Sequence, residues 1–172
     1  MGALTIELPV QEDQTAFNLR RWSELLADSE LTRFQRRIET EFNHGGYQAA
    51  IAFTVGRLLP HGRVITECPI STADGVRAAD VAWISQIKLG RIGRNVCLTE
   101  APEICVEVLS PDNSAAEMAE KKALYFAAGA AEVWFCQPDG GMVFFNSASS
   151  AGERNSRLCS QFPAQIVLQG HS

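Results

Sequence analysis

The 172-residue chain is 46% hydrophobic and 20% charged, with a formal charge of −5 and a pI near 5.2. That composition belongs to a globular domain rather than a disordered or fibrous chain, and the length suits a single domain over 1–172. The acidic balance argues against broad, charge-driven nucleic-acid binding, while leaving room for a local basic groove. No apolar run approaches the roughly 20 residues that span a bilayer. The opening "MGALTIELPVQEDQTAF" lacks the positive start and apolar stretch of a secretory leader. The expectation is a cytoplasmic protein without membrane association.

In chain order, residues 1–14 read as a lead-in and Thr15 as the N-cap of a helix over about 16–27. "RFQRRIETEF" (33–42) alternates in part, as a strand would, and "FNHGG" reads as a break. "YQAAIAFTVGRLL" (47–59) has helical periodicity and stops at Pro60. "RVITECPI" (63–70) and "VRAADVAWI" (76–84) flank the turn chemistry of "STADG". Residues 85–101 look irregular. "EICVEVL" (103–109) is a continuous apolar run, as in a central strand covered on both faces. Ser114 with Glu117 matches a capping box that opens a helix running to about Ala128, closed by Gly129. "EVWFCQ" and "MVFFN" form a hairpin around "PDGG". "SASSAGERNS" reads as a surface loop, and "QIVLQ" as an edge strand. The pattern is an α/β domain with a central mixed sheet flanked by helices.

The five cysteines, at 68, 97, 105, 136 and 159, form no CxxC or CxxH pair, so structural zinc and a disulfide framework are not expected. The carboxylates carry more information. Glu107 sits within the most apolar strand, where an unpaired charge costs several kcal/mol and must be neutralised, paired or bound to a cation. A strand end reaching solvent, or an arginine partner, would also account for it. Asp80 divides the polar half of "GVRAAD" from the apolar "VAWI", so two strands each carry a carboxylate beside a buried segment. Mg²⁺ is held by one or two carboxylates together with water and phosphate oxygens. On the following helix, Lys122 falls on the apolar side of the wheel and Lys121 on its flank. The wheel does not choose between them, since either stem can snorkel and Glu117 can pair with Lys121. Two carboxylates, a divalent ion and a lysine together suit phosphodiester hydrolysis. The run "KLGRIGR" (88–94) holds Lys88, Arg91 and Arg94 without an acid, and with Arg36 and Arg37 offers phosphate contacts. A solvated loop explains the run equally well.

"RAADVAWIS", "PEICVEVLSPDN" and "KKALYFAAGAAEVWF" together resemble the Uma-two family, in the PD-(D/E)XK restriction-endonuclease-like superfamily. The likeness covers about residues 30–146, and is most specific from 103 to 134. It implies a metal-dependent DNA endonuclease fold. Asp80 takes the place of the motif's first Asp and Glu107 that of its second acid. Leu109 stands where the motif's lysine would be. The resemblance places that lysine on the next helix, four residues before a tyrosine, which selects Lys121 with Tyr125. Ala79 stands where the motif prefers Pro, and the hairpin usual before the first core helix is shortened or lost. No acid occurs from 43 to 66; Gln48 is the nearest polar candidate for the acid many relatives carry on that helix, and Glu39 or Glu41 could substitute. The expectation is therefore a Mg²⁺- or Mn²⁺-dependent endonuclease acting on DNA, with Asp80 and Glu107 on the metal, Lys121 aiding the water or transition state, and a homodimer cutting both strands. The alternative is a catalytically inactive relative that binds DNA or a protein partner. His44, His61 and His171 fall in expected loops or the tail, which disfavours a histidine-based enzyme.

Overall fold

The computed structural model describes residues 28–92 and 97–168. Two compact units divide the chain, Met1–Glu41 and Phe42–Ser172. The helix expected over 16–27 lies outside the described residues.

The first described element corrects two expectations. Helix α1 runs unbroken over Asp28–Leu58, so "RFQRRIETEF" is helical rather than extended and "FNHGG" is no break. Arg, Gln and Glu are good helix formers, and their charges defeat the partial alternation. Arg37 Nε donates to Glu41 one turn on, at 2.9 Å. An interior glycine costs a helix about 1 kcal/mol, yet Gly46 has a packing reason: a Cβ there would meet the Leu168 side chain at 3.0 Å.

Strands β1 (Gly62–Thr72) and β2 (Gly75–Ser85) form the expected hairpin. Residues 85–101, expected to be irregular, contain a short helix, α2 (Gln86–Ile92). The Ser85 hydroxyl accepts from Lys88 N at 3.1 Å and starts it. Strand β3 (Ile104–Val108) leads through helix α3 (Ala115–Ala127) to strand β4 (Glu132–Cys136). β3 and β4 are parallel, and the helix supplies the crossover such a pair requires. As its sequence predicts, Ser114 accepts from Glu117 N, and Gly129 closes the helix at φ +100°.

Strand β5 (Met142–Asn146) pairs antiparallel with β4. Beyond it the expected surface loop contains β6 (Ser149–Glu153), paired to β5 across a bulge. Its Ser, Ala and Gly residues carry little strand propensity. Gly152 is needed there, because a Cβ would lie 2.5 Å from Val143. The expected strand at "QIVLQ" reduces, among the described residues, to a single bridge between Gln165 and Gly141. The six strands lie in the order β1-β2-β3-β4-β5-β6, giving the mixed α/β sheet expected. No helix among the described residues is long and apolar enough to cross a membrane.

Both faces of the sheet are covered. Val106, Val108, Trp134 and Phe144 pack with Ile51 and Val55 of α1. Cys105, Val133 and Phe135 pack with Met118 and Tyr125 of α3. The two-residue alternation slips in one place. Ile65 and Cys68, three apart, join the same cluster, as do Ala79 and Ala82. Between them the ladder pairs Thr66 with Val81 and Cys68 with Ala79, leaving Glu67 opposite Asp80 in an irregular step. Glu67 has φ +48°, a left-handed conformation unusual outside glycine. The hairpin is therefore kinked at Asp80.

A second buried carboxylate ties down the C-terminal segment. Glu132, 3% exposed, accepts from Trp134 Nε1 at 2.7 Å, Ser156 Oγ at 2.6 Å, Arg157 N at 2.7 Å and Leu158 N at 3.0 Å. Removing the acceptor strands buried donors, each costing about 1–3 kcal/mol. Glu132→Ala should lower the unfolding free energy by about 3 kcal/mol in urea denaturation, and amide exchange should rise first at 156–159.

Candidate functional site

The kink at Asp80 and the crossover at α3 build the site from opposite sides. On β2, the backbone carbonyl of Asp80 accepts from the Gln48 side-chain amide at 2.8 Å, and the same amide donates to Glu67 Oε1 at 2.8 Å. Asp80 Oδ2 accepts from Val108 N at 2.6 Å. The side chain thus caps a β3 backbone donor and lies beside Glu107, the preceding residue of that strand.

Glu107 is 3% exposed and on the α3 face of the sheet. Its Oε2 accepts from Lys121 Nζ at 2.9 Å and its Oε1 from Tyr125 OH at 2.7 Å. Lys121 and Tyr125 are one turn apart on α3, so a single helical face presents both donors to one carboxylate. The neighbouring Lys122 goes elsewhere, with its ammonium 4.0 Å from the centroid of the Phe145 ring. The ambiguity of the helical wheel resolves into one lysine at the acid and one on an aromatic face.

These contacts set the electrostatics. Burial pushes Glu107 above its ordinary value, and the nearby negative charge of Asp80 adds to this against the pull of Tyr125 and Lys121. Asp80 is raised mainly by burial, opposed by the Val108 hydrogen bond and His44. Burial pulls Lys121 down, but its hydrogen bond to Glu107 and the surrounding acids raise it overall. Tyr125 is held far up by burial and by Glu107, so its hydroxyl keeps its proton.

His44, expected in a loop, is on α1 with Nε2 3.4 Å from Asp80 Oδ1. Reading "FNHGG" as a break concealed it. Once the helix continues, His44, Gln48, Ile51 and Val55 recur at i, i+4, i+7 and i+11, on one inward face. Glu67 was missed because nothing local in "RVITECPI" signals a kink. Of the accessory residues, Gln48 joins the site as described, while Glu39 is exposed on α1 in the first unit. Lys88, expected at a phosphate, is instead buried. Its ammonium donates to the Gly129 carbonyl at 3.0 Å, using the free acceptor at the end of α3. Arg91 pairs with Glu100 at 2.6 Å, and Arg94 lies outside the described residues.

Two adjacent carboxylates are hard oxygen donors of the kind Mg²⁺ and Mn²⁺ take. No three His, Cys, Asp or Glu residues among those described are gathered tightly enough to hold an ion by themselves. The donor set therefore fits a cation that keeps several waters and shares phosphate oxygens, with Asp80 and Glu107 as its protein ligands.

A family model described as "Putative restriction endonuclease", Uma2, matches residues 32–169. The chain belongs to the Uma2 family. A crystal structure described as a putative nuclease of DUF820 from Anabaena variabilis is similar in fold, with a TM-score of 0.59 at 15% identity, covering 72% of this chain and 77% of that one. No curated protein matches. Family and fold together support a nuclease function.

The raised carboxyl values have a consequence for stability. Both folded values lie above the ordinary 3.8 and 4.5. The stability these groups contribute is complete below the ordinary values and is lost as pH rises through the raised ones. Without divalent ions, the wild type should therefore lose stability relative to Glu107→Gln as pH climbs above the ordinary carboxyl value of 4.5. Thermal melts in EDTA read the difference, and parallel pH profiles for the two proteins would contradict it.

Proposed function

We propose that this Uma2-family chain is a divalent-cation-dependent endonuclease that hydrolyses phosphodiester bonds in DNA. The observation that carries the reading is the buried Glu107 on a central strand, ion-paired to Lys121 and set beside Asp80. In this reading Asp80 and Glu107 hold Mg²⁺ or Mn²⁺. The bound ion would polarise the scissile phosphate and acidify a water. Lys121, with its side chain 28% exposed, is the member of the pair that reaches solvent. Its ammonium orients the attacking water and offsets negative charge growing on the phosphoryl oxygens. Tyr125 fixes the Glu107 carboxylate so that one oxygen stays turned toward Lys121.

Arg91, paired only through an exposed contact, can exchange Glu100 for a phosphate at little cost, and Arg94 follows in the same run. A duplex substrate needs one site per strand, so the working form in this reading is a homodimer. Five free thiols, four of them buried, suit a cytoplasmic setting.

A second reading has one observation in its favour. Both oxygens of Glu107 already have protein donors, as they would in an inactive relative that retains only DNA or protein binding. Calorimetric titration of Mg²⁺ and Mn²⁺, followed by incubation with supercoiled plasmid, separates the two. Wild type should bind and nick, and Glu107→Ala should do neither. Binding without nicking on any DNA form, or no binding, would support the inactive relative.

The lysines give an internal control. Lys121→Met should lower the nicking rate by about a hundredfold or more, and should also lower the melting temperature by leaving the buried Glu107 without its cationic partner. Lys122→Met should leave the rate unchanged and lower stability by about 0.5–1 kcal/mol through the lost ring contact. Equal effects on rate would remove Lys121 from the mechanism.

A further inference from the structure

Asp80 stands outside the regular ladder on both of its sides. Towards β1, its place opposite Glu67 is the irregular step. Towards β3, the paired register runs from Trp83 opposite Ile104 to Val81 opposite Val106, so Asp80 lies one residue beyond it. A residue released from its neighbours in this way needs other contacts if its carboxylate is to keep one position. Its own Oδ2 accepts from Val108 N at 2.6 Å, and His44 Nε2 lies 3.4 Å from Oδ1 as an ion-pair partner. The backbone is held from α1, where Gln48 Nε2 donates to the Asp80 carbonyl at 2.8 Å.

The same nitrogen donates to Glu67 Oε1 at 2.8 Å. A side-chain amide nitrogen carries two hydrogens, so both acceptors are served at once. Glu67 is exposed and has φ +48°, a strained conformation for a residue with a Cβ. Its negative charge, after burial, also raises Asp80, so the two acids repel each other. Strain and repulsion both act to undo the kink. The amide opposes them by drawing the Glu67 carboxylate and the Asp80 carbonyl onto one atom. Its support is rigid, since Ile51 and Val55 on the same inward face of α1 are fully buried.

Resting on the reading of Asp80 and Glu107 as a cation site, we propose that Gln48 and Glu67 form a clamp that positions the Asp80 carboxylate. Neither touches the ion; both act through the Asp80 backbone, and both are positioning residues. The clamp also gives a reason for glutamine rather than glutamate at this point of α1. The position requires a neutral donor, and an acid there would repel both acceptors.

The Val108 amide reports the position of Asp80 with no ion or DNA present. In NMR of the full chain, its short bond to a carboxylate should hold the proton downfield in wild type. Gln48→Met keeps length and helix propensity but loses the donor. It should move the Val108 proton upfield and speed its hydrogen exchange about tenfold, while Val106, inside the ladder, exchanges as in wild type. Glu67→Ala should reproduce the change, and Glu67→Gln, which keeps an acceptor oxygen, should restore the wild-type signal. In calorimetry, Gln48→Met should weaken Mn²⁺ binding about tenfold or more, and Gln48→Glu should weaken it as well. Equal rises in exchange at Val106 and Val108 would mean a general loss of stability and overturn the proposal. Tighter Mn²⁺ binding in Gln48→Glu would make position 48 a ligand rather than a clamp, and would also overturn it. An unmoved Val108 amide in Gln48→Met would overturn the clamp and leave the cation site standing. A displaced Val108 amide with no Mn²⁺ binding by wild type would support the clamp and overturn the cation reading.

Discussion

Glu107 is the residue around which the rest of the unit is arranged. A carboxylate in the middle of a six-stranded sheet loses its hydration, and no apolar neighbour can compensate for that. Compensation comes from the chain topology. β3 and β4 are parallel, so the chain must return through a crossover, and α3 passes over the strand it has just left. Lys121 and Tyr125, one turn apart, bring a charged donor and a neutral donor to the two oxygens. The position of the lysine in the sequence is secondary to that of its ammonium. A lysine two residues after Glu107 would start from the strand; here Leu109 occupies that position and the helix delivers the charge.

Asp80 reaches the same place by a different device. A regular β2 would continue its alternation past the site, with Asp80 on one of the two packed faces. The irregular step at Glu67 and Asp80 interrupts that alternation. It leaves the Asp80 carbonyl to the Gln48 amide and lets the carboxylate cap Val108 N at the end of β3. A left-handed glutamate costs of order 1–3 kcal/mol, and such strain persists where surrounding contacts specify it. Here they include the Gln48 bridge and the buried residues Cys68 and Ala79 on either side. The kink couples α1 to the carboxylate, so helix and hairpin position the site together.

Much of this was legible in the sequence, for identifiable reasons. The β3–α3–β4 unit carries its signals locally: an apolar run, a serine cap, a closing glycine and a second apolar run. Glu107, Lys121 and Tyr125 lie on that scaffold and Asp80 on the neighbouring β2, though the choice of Lys121 over Lys122 needed the family resemblance. α1 was misread because glycine is a weak local signal against helix when tertiary contacts favour one. At Gly46 the contact is Leu168, 122 positions later in number and invisible to any local window. That single misreading hid His44. β6 was missed for the complementary reason, since its small residues carry no strand propensity and its pairing depends on Gly152 fitting beneath Val143. Within the basic run at 88–94, Lys88 caps the end of α3, a use that charge patterning alone does not reveal.

The unit contains two buried acids on neighbouring strands, and the contrast between them separates site from scaffold. Glu132 receives an indole, a hydroxyl and two backbone amides, so its oxygens are satisfied by neutral dipoles that hold one segment in place. Glu107 faces a second carboxylate and receives one cation and one hydroxyl. Two negative charges and one positive leave a net negative charge in a place where burial already penalises ionisation, and both carboxyl values rise accordingly. A purely structural acid has no need of that imbalance; a chain selected for stability alone would relieve it with an amide or a second basic residue. A divalent ion held by both carboxylates, as proposed above, would remove it and replace their lost hydration with direct coordination. The excess negative charge, more than the presence of acids in the core, is what sets Asp80 and Glu107 apart from Glu132.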